Sequence, residues 1–474
     1  MIRSTFLATL AASSLALLVG CATAQPERKQ TTADHAGMIS QELPSPPGPL
    51  PTLTAASSPE DFVRYALLNH PSVAAAWHDW RAAQAAVLPA RSLPDPQLTF
   101  QADIASTVMS LMPGLMVELM SSGKRAAMGR EAEAATALSR RQYASTLIKV
   151  ATETRRALIE LSFLDQAIAL RSASFAVAEQ SGQLAASEYA AGRGMNASLT
   201  AQVQAGDTAA RLRSESESLN ERRTAAHIRL KSSLGLQASE PDPAEPRSVL
   251  SATALPPDDV LWQRVQTTNP ELATMRAMVE MAVAGVDVAR RGGSPDFTVG
   301  LMTDVKQAPW MWRPTATMTL PIWRSKIHEA ITAAQSRQEA AVARVAAEQL
   351  NLAAELAQML AMIREADRML AYIDSSALPS LRRTQATAEA GYRAGTAGAT
   401  MIVEASGMEL AMHTERLAAL RERELAVVGL LAMTADAAPA WPSDVGPDRR
   451  ADRGRGGASG PALPAGNEPT PSTL

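Results

Sequence analysis

The same pattern of hydrophobic and polar positions occurs twice along the chain. Helical periodicity begins at Asn69-His70-Pro71 and again at Thr268-Asn269-Pro270, about 200 residues later. Both stretches end at a Pro-Asp dipeptide, in Leu93-Pro94-Asp95 and in Ser294-Pro295-Asp296. Self-similarity at a fixed spacing is the signature of an internal repeat. The sequence therefore predicts a duplicated structural unit.

Each copy contains the same predicted elements in the same order. A helix of about 35 residues leads to the Pro-Asp sequence, two short segments of period-two alternation follow, and a very long helix then turns at a glycine into a returning helix of about 38 residues. The predicted strands are 97–104 and a weaker 115–120 in the first copy, and 297–305 and 315–322 in the second. The predicted long helices are 124–188 and 326–391.

The lengths of these elements predict an architecture. A helix of about 65 residues extends roughly 100 Å, and the two shorter helices of each copy match it when placed end to end. Each copy is therefore expected to be a helical hairpin with two strands at one end and a glycine turn at the other. Because bacterial membrane barrels have at least eight strands and lipid does not tolerate an open sheet edge, four strands per chain require a barrel shared between chains. Strand count alone does not choose between a dimer and a trimer.

Composition shifts divide the chain into six regions. The tether, the linker and the tail are rich in proline or charge and lack an apolar face, which is typical of linkers and disordered tails. The predicted regions are a signal peptide at 1–20, a tether at 21–57, a first repeat at 58–236, a linker at 237–256, a second repeat at 257–436 and a disordered tail at 437–474.

The first residues have the layout of a secretory signal. A positive start at Arg3 precedes the apolar stretch from Phe6 to Leu18, and Leu18-Val19-Gly20-Cys21 follows at once. This tetrapeptide resembles the bacterial lipoprotein signal, in which the cysteine is acylated and becomes the mature N-terminus. Cys21 is therefore the expected lipid anchor. Ala22 is not the acidic residue that keeps such proteins on the inner membrane, so the resemblance implies the outer membrane.

Composition and charge exclude several classes of protein. With 45 Lys+Arg against 48 Asp+Glu the net charge is −3, which gives no electrostatic reason to expect nucleic acid as a partner. A single cysteine excludes a disulfide framework. Gly123-Lys124-Arg125 lacks the spacing of a phosphate-binding loop, and the six histidines form no H-E-x-x-H pattern. We therefore expect no enzyme and no cofactor, and any transport must be powered elsewhere.

The duplicated helix–strand–strand–helix–helix plan, the paired Tyr-x-x-Gly turns and the lipoprotein start together resemble the TolC family of outer-membrane efflux channels. The resemblance covers about residues 58–436. It implies a mainly α fold with a small β part, in which three chains form an α-helical barrel in the periplasm and a shared twelve-stranded β-barrel in the outer membrane. It also implies two partners, a periplasmic adaptor protein and an inner-membrane pump, and leans towards the branch that exports heavy metals.

Site residues follow from that resemblance. Tyr189 and Gly192 in the first copy, and Tyr392 and Gly395 in the second, match the tip turns near which the adaptor docks. The family often closes its tunnel with acidic residues just after the second turn, and Glu404 fits such a gate whereas Met401 departs from it. A ring of three Glu404 carboxylates would attract cations. The alternatives are a solvated surface glutamate and tyrosines that merely pack between helices.

Methionines crowd the strand regions of both copies. The set comprises Met109, Met112, Met116, Met120, Met302, Met311 and Met318. Thioethers are soft ligands that select Cu(I), but methionine also fills irregular apolar space on lipid-facing strands, and the second interpretation is favoured, so no metal ligand is assigned. The leading functional hypothesis is a passive exit duct for metal ions or small toxic compounds. The alternative is a membrane-tethered helical spacer that transports nothing.

Overall fold

The computed structural model of the protein describes residues 50–104, 108–191, 199–244, 256–306 and 309–436. Within these ranges the two repeats have the same order of elements. The first repeat comprises α1 (Pro59–Asn69), α2 (Pro71–Arg91), β1 (Gln97–Ile104), β2 (Val108–Leu119), α3 (Ser122–Ala191) and α4 (Leu199–Ser233). The second repeat comprises α5 (Asp258–Thr268), α6 (Pro270–Arg291), β3 (Phe297–Asp304), β4 (Met311–Met318), α7 (Arg324–Tyr372), α8 (Leu378–Arg393) and α9 (Ala399–Met433).

The opening helix of each repeat is broken, which corrects the prediction of one continuous helix. The breaks lie at His70 and Asn269, whose ψ angles of 126° and 125° are those of extended backbone. Each break precedes a proline, Pro71 or Pro270, whose ring excludes the helical conformation from the residue before it. The same proline is well suited to the first position of the next helix, where no N–H is needed. The break therefore starts α2 and α6 at defined residues.

The two predicted long helices differ in regularity. α3 runs without a break for 70 residues, about 105 Å. In the second repeat, a π-helical turn (Ile373–Ala377) separates α7 from α8, and the Leu378 N–H bonds to the Ile373 carbonyl. Pro379 follows directly; it has no N–H to give and its ring crowds the preceding turn. A single π turn can absorb such a strain while the helix continues.

The strands form one antiparallel sheet in the order β1-β2-β3-β4. Its central β2–β3 ladder joins the two repeats, with Leu119 opposite Phe297. β2 begins at 108, well before the predicted 115. β4 covers 311–318 where 315–322 was expected. The chain leaves the sheet at Thr319, whose N–H bonds to the Asp296 carbonyl at 2.9 Å, and the proline at 321 has no N–H for a ladder.

α3 is the helix against which both repeats pack. Within the first repeat, α2 contacts its early part, where the Thr136 hydroxyl bonds to the Ala83 carbonyl at 3.0 Å, and α4 contacts its later part, where Arg223 pairs with Asp165 at 2.5 Å. The two short helices therefore follow one another along the long one, as their lengths predict. α6 and α9 of the second repeat also pack on α3. None of the helices in the described ranges combines the length and hydrophobicity needed to cross a bilayer.

Apolar side chains at the ends of the helices hold each repeat together. In the second repeat, buried residues of α5, α6, α7 and α9 form one cluster that includes Val265, Leu272, Leu356 and Leu430. In the first repeat, Phe62 of α1 is fully buried. Full burial of a side chain of this size contributes about 1.5–3 kcal/mol. These clusters fix the short opening helices against the long and returning helices.

Candidate functional site: the two faces of the sheet and the Gly395 turn

One face of the sheet is almost entirely apolar and exposed. Residues opposite each other in the ladders share a face, and each step of two along a strand stays on it. The residues of this face, called the apolar face below, are Leu98, Phe100, Ala102, Leu111, Pro113, Leu115, Val117, Leu119, Phe297, Val299, Leu301, Thr303, Trp312, Pro314, Ala316 and Met318. Phe100 is 69% exposed and Trp312 59%. A contiguous apolar surface of this extent marks a membrane or partner interface.

The opposite face, called the polar face below, carries polar groups, methionines and glycines. It comprises Gln97, Thr99, Gln101, Asp103, Ser110, Met112, Gly114, Met116, Glu118, Thr298, Gly300, Met302, Asp304, Met311, Arg313, Thr315 and Thr317. Alternation of an apolar outer face with a polar inner face is the pattern of a transmembrane β-barrel strand. Four of the predicted lipid-facing methionines therefore lie on the other face, which corrects that expectation for Met112, Met116, Met302 and Met311.

Tryptophans flank the apolar face along the strand direction. Trp310 and Trp312 lie at the β3–β4 hairpin, and Trp323 lies at the other end of β4, where it caps α7. All three indole rings are largely exposed. Tryptophan concentrates at the two interfaces between a bilayer and water. Strands of eight residues extend about 26 Å, close to the thickness of a bilayer core before tilt.

Both outer edges of the sheet lack a partner strand within the described ranges. β1 pairs only with β2, and β4 pairs only with β3, so each presents a row of backbone N–H and C=O groups. In lipid each unpaired backbone group costs several kcal/mol. An apolar sheet with two open edges therefore becomes stable in a membrane only when strands of other chains pair with both edges.

The turn after α8 is a Schellman motif built on Gly395. Gly395 has φ +70°, its N–H bonds to the Tyr392 carbonyl at 3.0 Å, and the Thr396 N–H bonds to the Gly391 carbonyl at 2.8 Å. This is the left-handed conformation expected of a helix-ending glycine, because a Cβ disfavours it. Tyr392 lies one turn before it with its side chain 53% exposed. The roles of both residues at a docking tip stay predictions.

The other predicted site residues are placed as follows. Tyr189 lies in the last turn of α3, while Gly192 and Cys21 fall outside the described residues. Glu404 and Met401 are both exposed in the first turns of α9. The gate at Glu404 and the lipid anchor at Cys21 therefore stay predictions.

Ion pairs join helix α9 to the end of α7 and to the π turn that follows it. Arg416 of α9 binds Asp374 through two hydrogen bonds of 2.7 and 3.2 Å, and these bonds hold the pKa of the Asp374 carboxyl below its ordinary value of 3.8. One helical segment further on, Arg423 binds Asp367 at 2.6 Å and Glu424 at 2.9 Å. Burial raises the pKa of the Glu424 carboxyl. These pairs fix how the returning helix α9 lies on the long helix.

The described residues contain no group of three or more His, Cys, Asp or Glu side chains that could hold a metal ion. Sequence reasoning missed the fully buried carboxylate of Asp304 and the shared face of the four methionines. The shared face follows from the period-two alternation once the strand register is known, whereas the burial of Asp304 does not follow from it.

Comparison with known proteins found one matching family model and several solved structures of similar fold. The family model of the outer membrane efflux protein matches residues 63–236 and 261–436. No curated protein is significantly similar to the sequence. Solved structures with a similar fold include CusC, described in the context of transmembrane channel formation (TM-score 0.66, 17% identity, covering 81% of this chain and 93% of CusC). They also include the CmeC outer membrane channel of Campylobacter jejuni (0.67, 14%, 81% and 87%) and the open state of the MtrE outer membrane channel of Neisseria gonorrhoeae (0.69, 14%, 83% and 94%).

Proposed function

Because this chain belongs to the outer membrane efflux protein family, we propose that it is the passive exit duct of a three-part efflux system. In this function the duct receives metal ions or small toxic compounds from an inner-membrane pump through a periplasmic adaptor and releases them outside. We propose no catalytic activity for the chain. The energy for transport is supplied by the pump.

The observation that carries the proposal is the two-faced sheet with two open edges. Its apolar face is exposed across all four strands, its polar face suits a water-filled interior, and tryptophans flank it on both sides. Both outer edges can be satisfied only by strands of other chains. A closed barrel of four-stranded sheets provides that pairing.

We propose a homotrimer, in which three sheets close a barrel of twelve strands. A two-chain barrel of eight strands has an interior that side chains fill, whereas a larger barrel encloses a channel. The trimer also agrees with the assembly that the resemblance to the TolC family implies. Its long helices α3 and α7 would continue the channel as an α-helical barrel in the periplasm, with the Gly395 turn and its counterpart near Gly192 at the adaptor-docking tip.

The division of the chain into regions completes the proposal. The signal peptide at 1–20 directs export, acylated Cys21 anchors the mature chain in the outer membrane, and the tether at 21–57 links the anchor to the first repeat. The repeats at 58–236 and 257–436 are joined by the linker at 237–256, and the tail at 437–474 follows the second repeat. Glu404 of the three chains forms the carboxylate ring of the gate.

The alternative is a lipid-tethered helical spacer that does not conduct. It requires that the apolar face of the sheet be covered by something other than lipid. The tryptophans at both ends of the strands, Trp310, Trp312 and Trp323, favour lipid as the cover of the apolar face. A partner protein would not require aromatic residues at both ends.

Single-channel conductance of the purified protein in planar bilayers, together with its oligomeric mass in detergent, tests the proposal. Conducting trimers are the expected result, and the Glu404→Gln variant is then expected to conduct with reduced preference for cations over anions. Glu389→Gln, on the preceding helix α8, is the matched control for a change of surface charge near the turn. Monomers that retain their helicity but do not conduct would favour the spacer.

A further inference from the structure

Basic residues concentrate at the end of the sheet where the strands meet the helices, called the helix end below. They lie in the first turns of α3 and α7, which follow β2 and β4, and at the end of α6, which precedes β3. This set comprises Lys124, Arg125, Arg290, Arg291, Arg324 and Lys326. At the opposite end of the sheet the charges balance; they are Asp103, Asp304, Lys306 and Arg313. The positive charge is therefore confined to the helix end.

Close contacts between the connecting segments bring these residues together. A Cβ atom built on Gly123, at the start of α3, would lie 3.0 Å from Arg291 Nη1, so the Arg291 guanidinium lies over that start. A Cβ atom built on Gly293, in the turn after α6, would lie 3.6 Å from Ile327 Cγ2 in the first turn of α7. The last residue of α6 and the turn after it therefore contact the starts of both α3 and α7.

Some cations at the helix end are paired with acidic groups of the same chain and others are not. The pairs are Arg91–Glu133, Lys124–Asp296 and Arg290–Asp287. The cations that have no acidic partner within the ranges that the structure describes are called the basic rim below; they are Arg125, Arg291, Arg324 and Lys326. The side chains of the last three are exposed. Each chain therefore presents positive charges that its own described residues do not neutralise.

Exposed apolar side chains join the basic rim to the apolar face. Leu320, Ile322 and Trp323 lie between β4 and Arg324, and their exposed fractions are 60%, 65% and 70%. Aliphatic side chains of this size are unfavourable in water and favourable in lipid, and tryptophan prefers the interface between them. From β4 to α7 the chain thus passes from apolar to aromatic to basic residues. This is the order of environments from a bilayer core through its interface to the headgroups.

We propose that the basic rim binds the phosphate groups of anionic phospholipids in the leaflet at the helix end of the sheet. Arginine and lysine donate charge-assisted hydrogen bonds to phosphate oxygens, and clusters of these residues beside a membrane-embedded segment are typical of anionic-lipid recognition. The acyl chains of the same lipid would contact Leu320, Ile322 and the apolar face. This inference rests on the proposed function in one respect, because it requires the apolar face to contact a bilayer.

The competing explanation is ion pairing between chains. β4 is an open edge of the sheet, and in a closed ring of identical sheets it adjoins β1 of the next chain. The segment before β1 carries the exposed Asp95, which could pair with Arg324 across that junction. The two explanations differ in what removal of the cations weakens. Lipid binding predicts a loss of affinity for anionic lipid, whereas pairing between chains predicts a loss of oligomer.

Native mass spectrometry of the purified oligomer in neutral detergent distinguishes them. The protein is titrated at fixed ionic strength with phosphatidylglycerol or with zwitterionic phosphatidylethanolamine of the same acyl chains. We expect the wild type to bind phosphatidylglycerol more tightly. The variant Arg324→Gln/Lys326→Gln is expected to bind it about 25-fold more weakly, at about fivefold for each cation, with little change for phosphatidylethanolamine. The matched control is Arg337→Gln/Arg344→Gln, which removes two exposed cations further along α7 and should bind as the wild type does.

Arg291→Gln provides a second variant that leaves the start of α7 unchanged. It removes one cation of the basic rim from a different segment, so it is expected to weaken binding of phosphatidylglycerol by about fivefold. Inorganic phosphate at the same concentration is not expected to displace the lipid, because it lacks acyl chains to contact Leu320 and Ile322. Displacement by inorganic phosphate would overturn the lipid as the occupant in favour of a free anion.

Equal binding of phosphatidylglycerol by the rim variants and the wild type would overturn the site. Dissociation of the Arg324→Gln/Lys326→Gln oligomer, with lipid affinity unchanged in Arg291→Gln, would instead assign the cations to pairing between chains. These readouts need no conduction. A protein that selects phosphatidylglycerol through the basic rim without conducting would refute the proposed duct and retain the site, and a conducting protein without this selection would do the reverse.

Discussion

Asn69 and Asn269 fasten the two repeats by the same hydrogen bond. The side-chain amide of Asn69 donates to the Leu234 carbonyl at 2.9 Å, and that of Asn269 donates to the Met433 carbonyl at 3.1 Å. In each repeat an asparagine at the end of the first short helix thus holds the end of the returning helix. The contact satisfies a carbonyl that the end of a helix leaves without an intrahelical partner.

The two asparagines differ in one respect. Asn269 also caps α6, because its Oδ1 accepts a hydrogen bond from the Leu272 N–H at 2.9 Å. In the first repeat that second function belongs to the next residue, His70, whose Nδ1 accepts from the Ser72 N–H at 3.2 Å. Asn269 therefore combines the cap with a bond to the returning helix, and Thr268, one residue earlier, adds a second bond from its hydroxyl to the Thr434 carbonyl at 2.9 Å.

Asn269→Ala is expected to destabilise the protein more than Asn69→Ala does. Loss of the cap costs about 1 kcal/mol and loss of the buried bond to Met433 a further 1–3 kcal/mol or so, whereas Asn69→Ala leaves the cap at His70 intact. Denaturant unfolding followed by helical circular dichroism measures both free energies. Equal losses for the two variants would contradict the division of roles.

The returning helices end in turns of the same geometry but with different residues. Gly235 has φ +73° after α4, and Ala435 has φ +62° after α9. Left-handed backbone costs an alanine roughly 1–2 kcal/mol, partly offset because glycine gains more freedom on unfolding. Ala435→Gly is therefore expected to raise the free energy of unfolding by up to about 1 kcal/mol, seen as a higher unfolding midpoint.

Gly235→Ala is the reverse change in the other repeat. Its Cβ would lie 2.8 Å from both the Asn69 carbonyl oxygen and His70 Cα, which are backbone atoms that cannot move aside easily. We expect a loss of at least about 2 kcal/mol from strain and overlap together. Gly395→Ala, with φ +70° but nothing within 4 Å of the new Cβ, should lose only the strain component. An equal loss at both glycines would show that the Asn69 contact is unimportant.

Leu301→Arg on the apolar face is expected to prevent stable membrane assembly. A charged side chain facing lipid near the bilayer midplane costs about 2–4 kcal/mol per chain. The matched control is Thr298→Arg, which places the same side chain on the polar face, directly opposite Glu118. The amount of assembled oligomer extracted from outer membranes measures the difference. Normal assembly of Leu301→Arg would argue against lipid contact at this face.

The Asp374–Arg416 pair is expected to make a stability contribution that depends on pH. Because the pKa of Asp374 is held below 3.8 in the folded protein, its contribution is present above that value and is lost as the pH falls through the folded pKa. Asp374→Asn should therefore lower the melting temperature at pH 7, and by progressively less as the pH falls below 3.8. The pair is half-exposed, so the effect at pH 7 is at most about 1 kcal/mol. A pH-independent difference between the proteins would exclude the ion pair as its cause.

Cys21→Ala is expected to abolish lipid attachment while the helical repeats still fold. Incorporation of labelled palmitate measures acylation, and membrane fractionation measures anchoring. Thr23→Ala, two residues further on, serves as the control and should retain the label. Unchanged labelling of Cys21→Ala would remove the basis for the lipoprotein assignment.

The sequence predicts the repeat and the order of its elements because these depend on local periodicity. Boundaries set by single residues are less visible: the proline at 270 breaks a helix at Asn269 although the apolar pattern continues through it. Pro379 has a different effect in a similar helical context, because a π turn absorbs it. Periodicity alone does not distinguish a proline that ends a helix from one that distorts it.

The strands show where prediction from one sequence stops. β4 lies four residues before its predicted position. The observed strand contains Pro314, and the predicted strand would have contained Pro321 instead. Both segments, 311–318 and 315–322, alternate with period two, and only the pairing with β3 selects between them. The close approach of Met302 to Gly114 could not be predicted either, because it depends on the register of β2 against β3. The position of β4 and the contact of Met302 with Gly114 both depend on pairing between strands, which local periodicity does not show.

The β2–β3 ladder determines when the fold can be completed. Its two strands are about 180 residues apart in the chain, and pairing such distant segments is intrinsically slow. β2 and its apolar side chains must therefore wait, unpaired on that side, until nearly two thirds of the chain has been exported. During that interval the first half of the sheet is an aggregation-prone hairpin in an aqueous compartment. We therefore expect this hairpin to need protection from aggregation during biogenesis, before the second repeat of the same chain arrives.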